Sequence, residues 1–345
     1  MTLLQSRGTD RLADAGPSRP RTATALRFGA VAVVVLVLAG VASLLIGSRA
    51  LSPAVALDPG HPLHPIVEAR FERTLLAAAV GAALGLAGAL MQGLTRNPLA
   101  DPGILGINAG ASLAMVLAIS LLGVSELSSY LWFAFAGAAA AALLVHAIAS
   151  MGRGGATPVK LAVAGAAVTA AVTSWSTGVL MVDRATMESF RLWQVGTVGG
   201  RGLDVLLTGL PFLLAGALLA AVGARLLDAL ALGDDVARGL GRRAGRDRVV
   251  VGLAIVLLAG TATALAGPIA FVGLVVPHAV RAVVGPGHTR VLPLAALVGA
   301  ILVVAADTVG RVVLPPAEVQ VGIMAAVLGV PFFLVLVRRG RMGTL

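Results

Sequence analysis

Apolar runs of roughly 17–22 residues alternate with short polar segments along most of the chain. A helix of that length is about long enough to cross the ~30 Å hydrocarbon core of a bilayer. The pattern therefore predicts an all-α membrane protein with about ten transmembrane helices. The predicted spans cover residues 28–46, 75–94, 103–122, 130–148, 160–182, 203–224, 249–266, 269–284, 291–306 and 321–337.

Composition and charge agree with this pattern. Of the 345 residues, 58% are hydrophobic and 12% are charged, whereas a soluble domain carries about 25% charged residues. Of the 26 Lys and Arg residues, 19 fall on one side of the predicted membrane and 7 on the other. The richer side is the cytoplasmic one, so both termini are expected in the cytoplasm. Basic residues scattered between spans indicate orientation in membrane lipid and argue against nucleic-acid binding.

The chain divides into a tail and one membrane domain. Residues 1–27 are polar and rich in Arg, Ser, Thr, Pro and Gly, which predicts a disordered cytoplasmic tail. Residues 28–345 form one transmembrane domain, and no separate soluble domain is predicted. The long external segments are 47–74 and 183–202, and the one substantial cytoplasmic loop covers about 226–248.

That cytoplasmic loop contains LGDDVARGLG, residues 232–241, which predicts a short helix. Asp234 is a suitable N-cap and Gly241 a suitable end. A helix this short is marginal alone in water, because nucleation is costly. It is therefore expected to pack on a partner surface, either its own bundle or another protein. An ordinary connecting turn is the alternative.

Several chemistries lack the residues that they require. The chain has no cysteine, which excludes disulfides and thiolate metal sites. The phosphate loop of ATPases needs a lysine beside Ser or Thr, but the single lysine, Lys160, lies in PVKL. His61 and His64 are too few for a metal site. No catalytic motif appears, so the chain is not expected to be an enzyme. An intramembrane hydrolase built from distant spans stays open as an alternative.

Charged side chains are scarce at the centres of the predicted spans. Ion-coupled carriers and proton relays place ionisable groups there. The scarcity argues against an ion-coupled secondary carrier, which stays the main alternative from another class. Asp307 lies near the end of the ninth span, four residues before Arg311, and this spacing predicts an ion pair.

The segment TRNPLADPGILG, residues 95–106, interrupts the apolar pattern with a polar turn. Pro98 and Pro102 restrict the backbone and remove donors, so the turn is expected to be stiff. It lies on the predicted cytoplasmic side and follows the glycine stripe GAALGLAG, residues 81–88. Such a stripe either allows close helix packing or lines a path.

Six segments, in this order, carry a family pattern: GAALGLAGALMQGLTRNPLADPGILGINAGA (81–111), FRLWQVGTVGGR (190–201), LGDDVARGLG (232–241), GPIAFVGLVVPHAVR (267–281), ADTVGR (306–311) and VGIMAAVLGVPFFLVLVRR (321–339). Together they resemble the iron-siderophore/cobalamin-type (FecCD-like) permease subunits of bacterial ABC importers. The resemblance covers roughly residues 68–340.

The resemblance implies a type II ABC importer permease fold in the bacterial plasma (inner) membrane. It implies three partners: a second permease subunit, the same or related, a cytoplasmic ATPase dimer, and an extracytoplasmic substrate-binding protein. ATP would be used by the ATPase subunits, with no cofactor bound directly by this chain. The implied activity is import of a ferric siderophore by alternating access. Haem or cobalamin is the alternative cargo.

The same resemblance assigns roles by position. Asn97 and Leu99 correspond to the cytoplasmic gate of the path. Arg70, Arg73 and Arg311 correspond to arginines that meet acidic residues of the binding protein. The coupling segment that contacts the ATPase corresponds to Leu232, Gly233, Asp234, Asp235, Ala237, Arg238, Leu240 and Gly241.

Some positions depart from the family pattern. Glu72 stands in RFER where the family often has proline, and Gln320 replaces a frequent proline in EVQVGI. Pro158 and Val159 replace small polar residues in the segment 157–160, where a second gate layer is expected. These departures affect the expected details of docking and gating and leave the class unchanged.

Overall fold

The computed structural model describes residues 21–124, 127–152, 155–231, 233, 239 and 243–338. Within these ranges the regular structure is helical, with no β-strand. The helices are α1 (Arg21–Leu45), α2 (Pro53–Leu57), α3 (His64–Thr95), α4 (Ile107–Leu122), α5 (Leu127–Ser150), α6 (Pro158–Val182), α7 (Arg184–Gln194), α8 (Leu203–Ala231), α9 (Ala244–Ile255), α10 (Thr261–Ala266), α11 (Val272–Val284), α12 (His288–Val313) and α13 (Val321–Arg338).

Ten apolar helical segments in the described ranges match the ten predicted spans. Helices α9 and α10 are joined by a π-helical turn, Val256–Gly260, and form one continuous span. Seven spans are long and apolar enough to cross a membrane by length and composition. Three shorter apolar helices accompany them: Ile107–Leu122, Val272–Val284 and Val321–Val335. The predicted all-α membrane fold is confirmed.

Helices α1 and α3 begin well before the predicted spans. Helix α1 begins at Arg21, so residues 21–27, predicted as the end of a tail, are helical. Helix α3 begins at His64 instead of near residue 75, with Pro65 in its first turn, where the missing N–H is no loss. The first turns of α3 are polar, so the sequence pattern predicts a loop there. In the structure, other segments of the chain bind these polar side chains: Arg70 donates to backbone carbonyls and Arg73 pairs with Asp307.

Helix α7 replaces part of the predicted external loop 183–202. Asp183 caps it by accepting a hydrogen bond from the Thr186 N–H at 3.1 Å. Hydrogen bonds from the Thr186 hydroxyl and N–H hold the pKa of the Asp183 carboxyl below its usual value. Phe190 and Trp193 are buried beneath the helix, with ring centroids 5.7 Å apart. The helix is thus amphipathic and lies with its apolar face on the bundle.

Helix α3 forms the centre of the bundle and packs along α12. A Cβ atom on Gly85 would overlap the Ala295 carbonyl oxygen, and one on Gly81 would overlap the Gly299 carbonyl oxygen. Gly88 lies equally close to Gly273 of α11. The glycine stripe 81–88 is therefore a surface for close helix packing, which is one of the two interpretations that the sequence leaves open.

At one end of the bundle, backbone N–H and C=O groups of non-helical segments form hydrogen bonds with other segments of the chain. The Thr197 N–H donates to the Ala266 carbonyl at 2.7 Å, and the Gly322 N–H donates to the Gly196 carbonyl at 3.1 Å. Phe271 adopts a left-handed conformation, with φ of 68°. These contacts tie the segments before α8, after α10 and before α13 to one another, and they fix the loops that carry the arginine cluster described below.

Candidate functional site

The turn after α3 is held by its own side chains. Arg96 ends α3 in a left-handed conformation, with φ of 49°, and its guanidinium donates to the Leu230 carbonyl at 2.6 Å. Asn97 Oδ1 accepts a hydrogen bond from the Leu99 N–H at 2.9 Å. Asn97 and Leu99 are exposed, Leu99 by 43%. The two residues assigned to the gate thus lie side by side on a fixed turn, directed away from the core.

The second half of the turn is built around Asp101. Its carboxylate accepts a hydrogen bond from the Gly103 N–H at 2.8 Å and begins a 3₁₀ turn, Pro102–Leu105. Burial raises the pKa of the Asp101 carboxyl, and the Gly103 hydrogen bond offsets part of that rise. Helix α4 begins at Ile107, after Gly106 with φ of 73°. The predicted helix start at residue 103 is therefore wrong by one 3₁₀ turn.

A cleft of about 1020 Å³ runs along α6 and ends at this turn. Asp101, Gly103 and Ile104 line the end of the cleft at this turn. Gly165 brings the α6 backbone against the Ile104 carbonyl, so the helix and the turn are in direct contact. The α6 wall consists mostly of small and hydroxyl side chains: Ala162, Gly165, Ala166, Thr169, Ala170, Thr173, Ser174, Thr177, Gly178 and Met181.

The start of α6 holds the segment expected as a second gate layer. Thr157 caps the helix by accepting a hydrogen bond from the Lys160 N–H at 3.3 Å, and Pro158 occupies the first turn. Lys160 Nζ donates to the Met151 carbonyl at 3.2 Å and to the Gly155 carbonyl at 3.3 Å. The single lysine thus closes the loop between α5 and α6.

At the opposite end of α3, a carboxylate lies between two arginines. The Asp307 side chain is 2% exposed and accepts from Arg73 at 2.7 Å. The Arg311 side chain, also 2% exposed, lies 3.3 Å from the other Asp307 oxygen, which confirms the predicted i,i+4 ion pair. Arg73 also pairs with Glu318 at 2.7 Å, and Arg311 donates to the Ser43 carbonyl at 3.0 Å. The attraction between these opposite charges offsets part of the free-energy cost of removing them from water.

Arg70 lies beside this cluster and is buried as well. Its guanidinium donates to the Leu44 carbonyl at 3.0 Å and to the Arg49 carbonyl at 2.7 Å. The structure therefore brings Arg70, Arg73 and Arg311 together, as their assigned role requires, but it uses their donors inside the subunit. Their contact with a binding protein stays a prediction.

Most of the coupling segment lies outside the described residues. This applies to Leu232, Asp234, Asp235, Ala237, Arg238, Leu240 and Gly241. Gly233 is described, with φ of 106°, and its N–H donates to the Leu230 carbonyl at 3.1 Å. Gly233 lies two residues beyond the end of α8, and the contact of Arg96 with Leu230 places that end of α8 beside the Asn97 turn.

Two of the departures from the family pattern, Glu72 and Gln320, have different surroundings. Arg73 forms its ion pairs with Asp307 and Glu318, and not with the neighbouring Glu72. The Gln320 carbonyl accepts hydrogen bonds from the Ile323 and Met324 N–H groups and so starts α13. The contribution of Gln320 to the start of α13 therefore comes from its backbone carbonyl.

Sequence reasoning missed three residues of these sites. Asp101 had a local signal, because Asp before Pro is a common start of a turn. Glu318 and Arg201 had none, because their surroundings come from helices far away in the chain. Arg201 is 5% exposed and lies in the same outer cluster.

The described residues thus form ten apolar helical segments, and a cleft lined by small and hydroxyl groups runs along the exposed face of α6. The model of the FecCD transport family matches residues 35–339. The chain therefore belongs to the FecCD transport family.

Curated relatives and a solved structure agree with this family. The chain is 44% identical over 275 residues to a probable siderophore transport system permease protein of Bacillus subtilis (strain 168), covering 80% of this chain and 83% of the relative. It is 42% identical over 318 residues to the ferric enterobactin transport system permease protein of Escherichia coli (strain K12), covering 90% and 95%. A solved structure titled as an inward-facing conformation of a putative metal-chelate type ABC transporter superposes with a TM-score of 0.80 at 28% identity, covering 91% of this chain and 99% of that one.

Proposed function

We propose that this chain is the permease subunit of an ABC importer that takes up a ferric siderophore. The observation that carries the proposal is the match to siderophore and enterobactin permease proteins over 80–90% of the chain. The cargo is proposed from those relatives. The fold supports the same class, since it has the helices of a transporter and the sequence has no phosphate-binding loop.

The cleft along α6 is the proposed path for the chelate. Its volume of about 1020 Å³ suits a bulky ligand, and its wall of small and hydroxyl groups offers hydrogen bonds without fixed charge. In this proposal a second permease subunit, the same chain or a related one, faces this cleft and completes the path. The exposed α6 face, unusual for lipid contact in its Thr and Ser content, supports that arrangement.

The turn at Asn97 and Leu99 is the proposed gate at the cytoplasmic end of this path. In this proposal the turn closes the path, because Asp101 and Gly103, which follow Asn97 and Leu99 on the same turn, line the cleft. An ATPase dimer would bind the loop 226–248, hydrolyse ATP on its own subunits and move the gate through α8. The Arg96 bond to the Leu230 carbonyl supports this route, because it ties the gate turn directly to the end of α8. Alternating access then follows from two positions of the turn.

The proposed location is the bacterial plasma membrane, with both termini in the cytoplasm. The distribution of basic residues supports this orientation. The substrate-binding protein would dock at the opposite end, where the arginine cluster lies.

Asn97→Ala should uncouple transport. It removes the acceptor for the Leu99 N–H, and one such bond is worth about 1 kcal/mol, or about a fivefold change in a rate that depends on it. Siderophore uptake per ATP hydrolysed should fall by about this factor, while the ATPase rate of the complex is retained. Asn97→Asp keeps the acceptor and is the matched control. Equal coupling ratios for Asn97→Ala and the wild type would contradict a gate at this turn.

Association with the ATPase tests the proposed function. The double variant Asp234→Arg with Arg238→Glu reverses two charges in the coupling segment and should abolish co-purification of the ATPase. Arg184→Glu with Glu188→Arg, on the exposed face of α7, is a matched reversal at the other end and should leave it intact. If the wild type binds no ATPase, or if both reversals bind it equally well, the proposed coupling is wrong.

A further inference from the structure

The last turn of α8 is joined to the start of α12 by one carboxylate. Asp228 Oδ1 accepts hydrogen bonds from the His288 backbone N–H at 2.8 Å and from His288 Nδ1 at 2.8 Å. Gly287, the residue before α12, has no side chain with which to cap that helix. Asp228 therefore supplies the cap from a different helix, and its negative charge complements the positive end of the α12 dipole.

The same carboxylate sets the orientation of the His288 ring. A carboxylate only accepts hydrogen bonds, so Nδ1 is the donor. The other ring nitrogen, Nε2, is buried and has no hydrogen-bond partner among the described residues. It lies against α3, where a Cβ atom on Gly93 would be 2.5 Å from it. The ring thus fills the space that Gly93 leaves open and holds the start of α12 against the end of α3.

The last turn of α8 also contacts the end of α3 directly. A Cβ atom on Gly93 would lie 2.9 Å from Leu227 Cδ1, and the Leu230 carbonyl accepts a hydrogen bond from Arg96. Arg96 directly precedes Asn97 in the chain. The end of α8, the start of α12 and the end of α3 therefore meet within about one helical turn of the proposed gate.

Helices α3 and α12 are held together along their length. Their backbones are in contact at Gly85 and Ala295 and again at Gly81 and Gly299. At the far end of the two helices, the buried Arg73–Asp307 ion pair joins them. Close-packed contacts of this kind have low compressibility and transmit displacement. A displacement applied at His288 is therefore expected to move α3 and α12 as one unit.

We propose that Asp228 is a positioning residue for transport, because its bonds to His288 join the last turn of α8 to the α3–α12 unit. The proposal rests on the proposed function, in which the ATPase moves the gate through α8. It adds the side chain that carries this movement from α8 into the two packed helices. The Asp228–His288 contact stays closed through the cycle. Without it, α8 moves while α3 and α12 stay behind, and ATP is hydrolysed without transport.

The ratio of uptake to ATP hydrolysis tests this proposal. The permease–ATPase complex is reconstituted in proteoliposomes with its cognate binding protein. Asp228→Ala should lower siderophore uptake per ATP hydrolysed at least about fivefold, the factor that corresponds to one lost hydrogen bond. Co-purification of the ATPase should be unchanged, which separates a link inside the permease from a contact with the ATPase. Asp228→Asn keeps an acceptor for both His288 donors and should restore the ratio.

A matched control removes a carboxylate at the other end of the same helix. Asp204 is exposed in the first turn of α8, and Asp204→Ala should leave the ratio within about twofold of wild type. A wild-type ratio for Asp228→Ala would overturn the proposal, even if its unfolding midpoint is lower. Equal losses for Asp228→Ala and Asp228→Asn would also overturn it. Absence of ATP-driven uptake by the wild type would instead contradict the proposed function.

A distance measurement decides the matter if Asp228→Ala does not fold. The chain has no cysteine, so spin labels can be placed on exposed residues beside the contact through Arg225→Cys and Thr289→Cys. Asp228 and His288 stay intact in this protein. Double electron–electron resonance should give the same label-to-label distance without nucleotide and with ATP bound. A distance that changes between the two states would show that α8 and α12 separate, and would overturn the proposal.

Discussion

Asp307→Ala should destabilise the subunit by about 3–5 kcal/mol, the range measured when one partner of a buried ion pair is removed. The reason is that Asp307 lies between Arg73 and Arg311 with its side chain 2% exposed. Without it, two buried guanidinium groups face each other with no carboxylate between them. A lower thermal unfolding midpoint in detergent, and loss of uptake in cells, are the expected results.

Glu318→Ala is the matched control for this prediction. Glu318 also pairs with Arg73 at 2.7 Å, but its side chain is 38% exposed. Solvent screens such a pair, so its loss should change stability by about 0–1 kcal/mol. Equal shifts of the unfolding midpoint for the two variants would mean that Asp307 is not the centre of the cluster.

Gly85→Ala and Gly252→Ala should change stability in opposite directions. A Cβ atom at position 85 would overlap the Ala295 carbonyl oxygen, so α3 and α12 must move apart. Overpacking of this kind costs about 1–3 kcal/mol and occasionally more, and here the obstacle is rigid backbone. We therefore expect a large loss of folded protein and of uptake.

At position 252 the same methyl group meets no atom within 4 Å. Replacing a glycine inside helix α9 with alanine should then stabilise the protein by about 0.5–1 kcal/mol. Unfolding midpoints of the two variants, measured in the same detergent, compare the effects directly. A Gly85→Ala protein as stable as wild type would contradict the close contact of α3 with α12 at Gly85 and Ala295.

The spans could be predicted because burial in lipid leaves a local signal, a run of apolar residues of fixed length. The same signal fails where a helix continues into water. The first turns of α3 and helix α7 carry charges and read as loops, yet both are helical because other parts of the chain cover one of their faces.

The contacts in the candidate sites also fall into two groups, those between sequence neighbours, which could be predicted, and those between distant residues, which could not. The Asp307–Arg311 pair and the stiff turn at Asn97 depend on neighbours in sequence and could be predicted. The Arg73–Asp307 pair joins residues 234 positions apart, and only the packing of α3 against α12 brings them together. The outer cluster that includes Arg201 depends on three distant segments of the chain, so no spacing in the sequence indicates it.

The energy source of uptake tests the central claim most directly. The chain is reconstituted in proteoliposomes alone, and together with its ATPase and binding protein, and supplied with radiolabelled iron complexed by a hydroxamate or catecholate siderophore. The account predicts accumulation only in the full system with Mg-ATP, unaffected by a protonophore. Accumulation by the chain alone, driven by a proton or sodium gradient and indifferent to ATP, would contradict it.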